Sequence, residues 1–341
     1  MATIYKCPQC GSNMLFDAVS GMLQCEHCAC QIPVEEYQEK DEKRETDAFS
    51  EGSEKQYHCP SCGATLITDQ YTAATSCAYC GSPNIIEEQV ENDLKPDLVL
   101  PFMVERKEAE TKFRKWCRGG LLTPADFLKS DVLKAKLQGI YVPFWVYDIQ
   151  TDASLSANCE RRSVKRSGNT EITTIYKYRV DRAGKALFAR IPRDASVRMD
   201  NEKMDLLEPF DTGKAQTFSS AYLSGYSAER YSETKDQVYV RAEKIASQYA
   251  IDELKNTIHG YDSVVVTNSS VDAEAKTIHY ALYPIWHYEY EYKGKLYEFM
   301  LNGQTGKVVG KPPVSIKRAL FVLASSFLSI GLLTLSVMLC M

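Results

Sequence analysis

The sequence predicts an α+β protein: two N-terminal zinc ribbons (small β), an aromatic-rich antiparallel α+β body, and one C-terminal transmembrane helix. Three observations carry that expectation. The spacing C-x2-C-x14-C-x2-C occurs twice, displaced by 52 residues. Between the cysteines and the tail, period-two aromatic runs alternate with helical stripes. The final 23 residues carry no charged side chain.

At 341 residues the chain can hold one sizeable core plus small modules. Its 44% hydrophobic and 25% charged residues are ordinary for a globular protein. The opening MATIYKCPQC offers no apolar h-region, so the body is expected in the cytoplasm. Thiols stay reduced there, and eight of the twelve cysteines fall in Cys-x-x-Cys pairs, which favours metal over disulfides.

The first ribbon spans 1–34 and offers Cys7, Cys10, Cys25 and Cys28; a charged linker runs over 35–56; the second ribbon, 57–88, offers Cys59, Cys62, Cys77 and Cys80. A structural zinc ion needs four ligands at tetrahedral angles, and two knuckles brought together across a hairpin supply them. The expected cofactor is therefore two structural Zn²⁺ ions. A thioredoxin-type redox motif would need one such pair beside a βαβ pattern, not four. His27 reads as a spacer because its equivalent is Tyr79, and Cys30 as a free thiol. Cys117 and Cys159 read as isolated thiols, while Cys340 could carry an acyl chain. With all four positions filled by sulfur, neither site keeps a place for a water nucleophile.

The α+β core domain is expected over 94–312. ERKEAETKFRKWCRG (105–119) sets Ala109, Phe113 and Trp116 on one helical stripe before a glycine stop. Thr123 and Pro124 suit an N-cap and first helical position. Strands are expected at 141–149, 175–180 and 286–292, each with one buried and one wet face. A long helix is expected over 227–257, with Val238, Ala242, Ile245 and Tyr249 as its stripe. The segments 143–147 and 284–288 resemble each other, as an internal duplication would. The uncharged tail, 319–341, is long enough for a hydrocarbon core of about 30 Å. With Lys311, Lys317 and Arg318 before it, it predicts a tail anchor and a single-pass cell-membrane protein whose N-terminal body is cytoplasmic.

Charge narrows the function classes. Residues 1–92 carry 5 Lys/Arg against 15 Asp/Glu, a net of −10; the rest nets +5. Four thiolates around one Zn²⁺ add a further −2 per site, about −14 in all. Such a module repels a phosphate backbone, whose binding needs several Lys/Arg contacts. Protein binding is the better use of it. Residues 159–193 are the opposite, with ten Lys/Arg and three Asp/Glu, and read as a solvated face or as a surface for anionic lipid or an acidic partner. No catalysis is expected: His259, His279 and His287 fall in separate elements, and Asn302, Gly303 and Gly306 form a turn without P-loop spacing.

Together the two ribbons, LVLPF (98–102), GIYVPFWVYD (139–148), FSSAYLSGYSAERY (218–231), YPIWHYEY (283–290) and YEFMLNGQTGKVVG (297–310) resemble the bacterial YdjG-like family of membrane-anchored proteins with TFIIB-type double zinc ribbons. The resemblance covers essentially the whole chain. It implies a non-enzymatic adaptor or scaffold that recruits cytosolic proteins to the membrane in envelope stress. The implied partners are SPFH-domain (flotillin-like) and phage-shock-A-like proteins. The alternative expectation is a membrane-tethered regulator that binds RNA or DNA through its ribbons.

Overall fold

The computed structural model describes residues 2–36, 55–59, 61–62, 65–68, 71–77, 82–86, 95–118, 120, 122–124, 127 and 137–340. Most of the linker, with Tyr79, Cys80 and Gly81, lies outside the described residues, as do Ala125 and Asp126 of the expected second helix.

The first ribbon consists of β1 (Ala2–Thr3), β2 (Met14–Asp17), β3 (Met22–Cys25) and β4 (Gln31–Pro33). Strands β2, β3 and β4 form an antiparallel meander of their own. Met14, Phe16 and Leu23 alternate inward, so the small sheet has one buried face. The second ribbon consists of β5 (Lys55–His58), β6 (Thr65–Thr68), β7 (Thr72–Ser76) and β8 (Pro83–Ile86). Its first hairpin stands alone, whereas β7 and β8 join the large sheet.

The body starts with β9 (Leu98–Val99) and α1 (Arg106–Arg118), which buries Ala109 and Phe113 as expected, with Cys117 rather than Trp116 completing the buried stripe. Trp116 lies at its flank and donates to the Gly310 carbonyl at 3.3 Å. Two very long strands follow: β10 (Gln138–Ser167, 30 residues) and β11 (Thr170–Asp194, 25 residues). Then come α2 (Asn201–Leu207), β12 (Gln216–Thr217), β13 (Ser227–Glu229) and α3 (Lys235–Asn256). The chain continues with β14 (Ser263–Tyr292, 30 residues), β15 (Lys295–Asn302), β16 (Val308–Val309) and α4 (Ile316–Cys340).

Among the described residues the large sheet has 11 strands, in the order β1-β8-β7-β13-β10-β14-β15-β16, with β11 on β10, β9 on β14 and β12 on β9. This corrects the expected α+β class. The described residues are 46% strand and 25% helix, and one large curled sheet dominates. The expected strand 141–149 is the first third of a strand that continues to 167.

The strand centres differ from expectation too. Residues 139–147 of β10 are buried on both faces, Trp145 excepted. Tyr141 packs with Phe102, Trp286 and the first ribbon on one side. Val142 and Phe144 pack with Met204, Leu207 and Phe210 on the other. Segments distant in sequence cover what would otherwise be the wet face. The prolines are tolerated because each lies at a change of neighbour. Pro143 falls between the residues that β13 pairs (Ile140, Tyr141) and those that β11 pairs (from Phe144). Pro284 falls between those paired by β9 (Ala281, Leu282) and by β15 (from Ile285). The two resembling segments are antiparallel neighbours, with Tyr141 opposite Pro284 and Pro143 opposite Leu282.

The long helix starts later than expected. Thr234 and Gln237 form a reciprocal capping box at its start, and residues 227–229 are strand. Its buried stripe is Val238, Ala242, Ala246 and Ala250, while Tyr249 is exposed. Alanines at every fourth position let α3 lie close along β10 and β11.

The tail is the second correction. The first turn of α4 carries Lys317 and Arg318, and Arg318 donates to the Thr123 carbonyl. Among the described residues no helix is long and apolar enough to cross a membrane. The transmembrane helix and tail anchor at 319–341 are therefore not supported. The single-pass cell-membrane localisation rested on them and falls as well.

Candidate metal centres

Each knuckle is a turn that tucks its first cysteine under the backbone ahead. The Cys7 N–H donates to the Ser12 carbonyl at 2.7 Å, and the Cys25 N–H to the Cys30 carbonyl at 2.9 Å. The same five-residue closure recurs in the second ribbon, from the Cys77 N–H to the Ser82 carbonyl at 2.8 Å. The two turns of the first ribbon pass through left-handed backbone, at Gly11 (φ 73°) and Ala29 (φ 58°). Ala29 makes the same tight turn that a glycine would, at a steric cost of about 1 kcal/mol.

These turns bring the first four sulfurs together. Cys7–Cys28 and Cys10–Cys25 are each 3.5 Å apart, and all four sulfurs lie within 4.8 Å of one another. Four sulfurs about 2.3 Å from a central ion would stand about 3.8 Å apart, whereas a disulfide would bring two to about 2.05 Å. The donor set therefore fits a tetrahedral thiolate site. Hydrogen bonds from the Ser12 backbone and hydroxyl pull the Cys10 thiol down to about 6. Cys28 receives a backbone hydrogen bond from Cys30, yet desolvation and the neighbouring sulfurs push it up to about 12. Sulfurs this crowded cannot all ionise unless a cation lies among them.

In the second ribbon Cys59, Cys62 and Cys77 converge in the same way, with 3.8 Å between the Cys62 and Cys77 sulfurs. Cys80 lies outside the described residues. Two cysteine clusters could thus hold metal ions. His27 is exposed and belongs to neither cluster; Cys30 is a partly buried thiol; Cys117 and Cys159 are buried in the body.

Sequence reasoning missed what fixes the ribbons. The segment 218–231, visible beforehand only as an aromatic motif, cradles both. For the first ribbon, the Phe16 N–H donates to the Ser224 carbonyl at 3.0 Å, and the Ser224 hydroxyl donates to the Met14 carbonyl at 2.6 Å. The Tyr5 hydroxyl meets that of Ser220 at 2.5 Å, and the Phe16 and Tyr222 rings stand edge to face at 5.1 Å. Gly225, at φ 92°, is needed because a Cβ there would press on the Leu15 side chain at 3.3 Å. For the second ribbon, β13 adds to β7 with Ala228 opposite Ala74, and the Arg230 N–H donates to the Tyr71 carbonyl at 2.8 Å.

The chain is 38% identical over 315 residues to the uncharacterized protein YdjG of Bacillus subtilis (strain 168), which spans 92% of this chain and 91% of the relative. The chain belongs to the YdjG family. No family model and no solved structure matches it. The YdjG relationship thus reaches across ribbons and body alike.

The remaining polar residues singled out by sequence do not converge. His279 lies 3.9 Å from Asp97, and His259 is exposed beyond α3. His287 is held by Glu298, Nε2 to Oε1 at 2.8 Å, and Lys203 reaches the other carboxylate oxygen at 2.5 Å. Hydrogen bonds from His287 and Lys203 overcome desolvation and keep Glu298 down at about 2. Asn302 is a buried turn residue. It accepts from the Gln304 and Thr305 N–H groups and donates to the Leu207 carbonyl at 3.0 Å. The basic run 159–193 divides: Arg193 is buried against Asp205 and Glu208, while the rest projects with the long strands.

Proposed function

We propose that this chain is a non-enzymatic adaptor. Its eight ribbon cysteines (Cys7, Cys10, Cys25, Cys28, Cys59, Cys62, Cys77 and Cys80) hold two structural Zn²⁺ ions, and its acidic ribbon face recruits protein partners. The observation that carries the reading is the cradle at 218–231. It fixes both ribbons to the body through a shared core and shared strands, so they present a rigid surface. All-sulfur donor sets favour zinc in a structural role and leave no open coordination position. The charge of 1–92 supports a protein occupant over nucleic acid. SPFH-domain and phage-shock-A-like proteins, which the family resemblance implies, are the partners to test first.

The test is a co-purification of the zinc-loaded full chain with each candidate, repeated after charge neutralisation of Asp17, Glu26, Glu35 and Glu36. A stoichiometric protein complex weakened by neutralisation is expected. Recovery of RNA or DNA in a salt-sensitive manner, with no protein partner, overturns the reading.

A further inference from the structure

The large sheet has a second end, far from the ribbons. Beyond the body, β11, β10 and β14 run on as a three-stranded arm with α3 along one face. Strand β14 begins at Ser263, opposite Glu160. Past that point, among the described residues, β10 and β11 continue alone to a two-residue turn at Gly168 (φ 60°). Among the described residues β11 pairs with β10 alone, so its outer edge is unpaired from Thr170 to Asp194.

The two faces of that edge have different chemistry. Partners across β10 and β11 share a face, which places Ile175, Lys177, Arg179 and Lys185 on the open side. Ile172, Tyr176 and Tyr178 take the α3 side, outward of the helix end, where Tyr178 stands 5.3 Å from Tyr261. Ile172, Tyr176 and Tyr178 are 54%, 50% and 42% exposed, far more than apolar side chains of a finished sheet. Residues 160–179 carry six Lys/Arg against two Asp/Glu. Arg161, Arg162, Lys165 and Lys177 form no ion pair among the described residues.

We propose that the outer edge of β11 between Thr170 and Lys185 is a docking site for an extended polypeptide segment that alternates acidic and apolar residues and adds to the sheet as a further strand. An added strand satisfies the free backbone groups of the edge. Its alternate side chains then fall opposite Lys177 and Arg179 on one face and opposite Tyr176 and Tyr178 on the other. The occupant is not a second β11. Residues 170–190 hold five Lys/Arg and two Asp/Glu, so two copies would meet with like charge. This site lies outside the ribbons and does not depend on their metal.

The experiment uses the full chain and a labelled ten-residue peptide of alternating Val and Glu. Two controls are a peptide of the same composition with its Glu residues grouped, and the alternating peptide N-methylated on alternate amides. The alternating peptide is expected to bind and to slow amide exchange over 170–187. Both controls, and the Lys177→Gln/Arg179→Gln chain, should bind about tenfold more weakly. Tyr176→Thr, which keeps strand propensity, should also weaken binding without altering thermal unfolding. Equal binding of the grouped peptide would reduce the site to bulk charge and overturn the proposal. So would no binding at all, in which case the charges only guard the edge. Tighter binding of a single-stranded RNA 20-mer or of phosphatidylglycerol vesicles at the same residues would overturn it in favour of those ligands.

Discussion

The two ends of the large sheet solve the problem of an open edge in opposite ways. At the ribbon end, β13 is covered by β7, β7 by β8 and β8 by β1, and each ribbon gathers a cysteine cluster that could hold a metal ion. Apolar side chains from ribbon and body share one core there. At the arm end, β11 has no outer neighbour among the described residues, Ile172, Ile175, Tyr176 and Tyr178 are exposed, and lysines and arginines line it. The sequence of the first end is acidic and that of the second basic. Stability should therefore reside at the first end, and tolerance to change at the second.

The largest expected effect is metal removal. Cys25→Ser, or a strong chelator, should unfold the first ribbon, because structural zinc binding supplies folding free energy directly. The shared core then transmits the loss to the body, which should fall by more than about 3 kcal/mol in denaturant unfolding. A body that unfolds at an unchanged midpoint would break the claim that the ribbons are part of it. Next is a paired truncation. Phe16→Ala at the cradle should cost about 3–5 kcal/mol, while Tyr176→Ala on the arm should stay within about 0.5 kcal/mol. Equal costs would erase the contrast between the ends.

A smaller effect lies between the ends, at Glu298. Its folded-state value of about 2 is below the unfolded value of 4.5. Its contribution is thus fully present above pH 4.5 and is lost as pH falls towards 2. Glu298→Gln should cost about 1–3 kcal/mol at pH 7 and flatten the acid limb of the stability curve. An unchanged acid limb would show that Lys203 and His287 do not hold it. Smallest is Ala29→Gly, which relieves the left-handed turn beside Cys28 and should gain about 1 kcal/mol, seen as a higher melting temperature of the metal-loaded chain. A loss there would mean that Ala29 is not strained.

Local features were legible in the sequence, and non-local ones were not. Cysteine spacing located Cys7, Cys10, Cys25 and Cys28 because the two ligands of each knuckle lie three residues apart within one local turn. The α1 stripe was readable because Ala109 and Phe113 face a core that its own periodicity reports. The fold class was misread because β10 changes pattern along its length: apolar on both faces at 139–147, alternating at 149–159, then basic. Such a strand reads as several short elements. The coverage of Val142 and Phe144 by α2 depends on residues about 60 positions away in the chain. The tail was misread because hydropathy counts uncharged residues alone, while the structure ties Arg318 at the start of α4 to Thr123, and among the described residues no helix is long and apolar enough to cross a membrane. The cradle at 218–231 carried no readable function, since serine and glycine there act through backbone contacts with Met14 and Phe16.

The most direct test of the account is the metal content and thiol reactivity of the intact chain, measured on one preparation. Two zinc ions per chain are predicted, each with sulfur-only coordination at about 2.3 Å. Four of the twelve cysteines should lie outside the metal sites, with the other eight reacting only once a chelator has removed the metal. Fewer than two ions, nitrogen or oxygen ligands, or twelve thiols that react alike before chelation would contradict it.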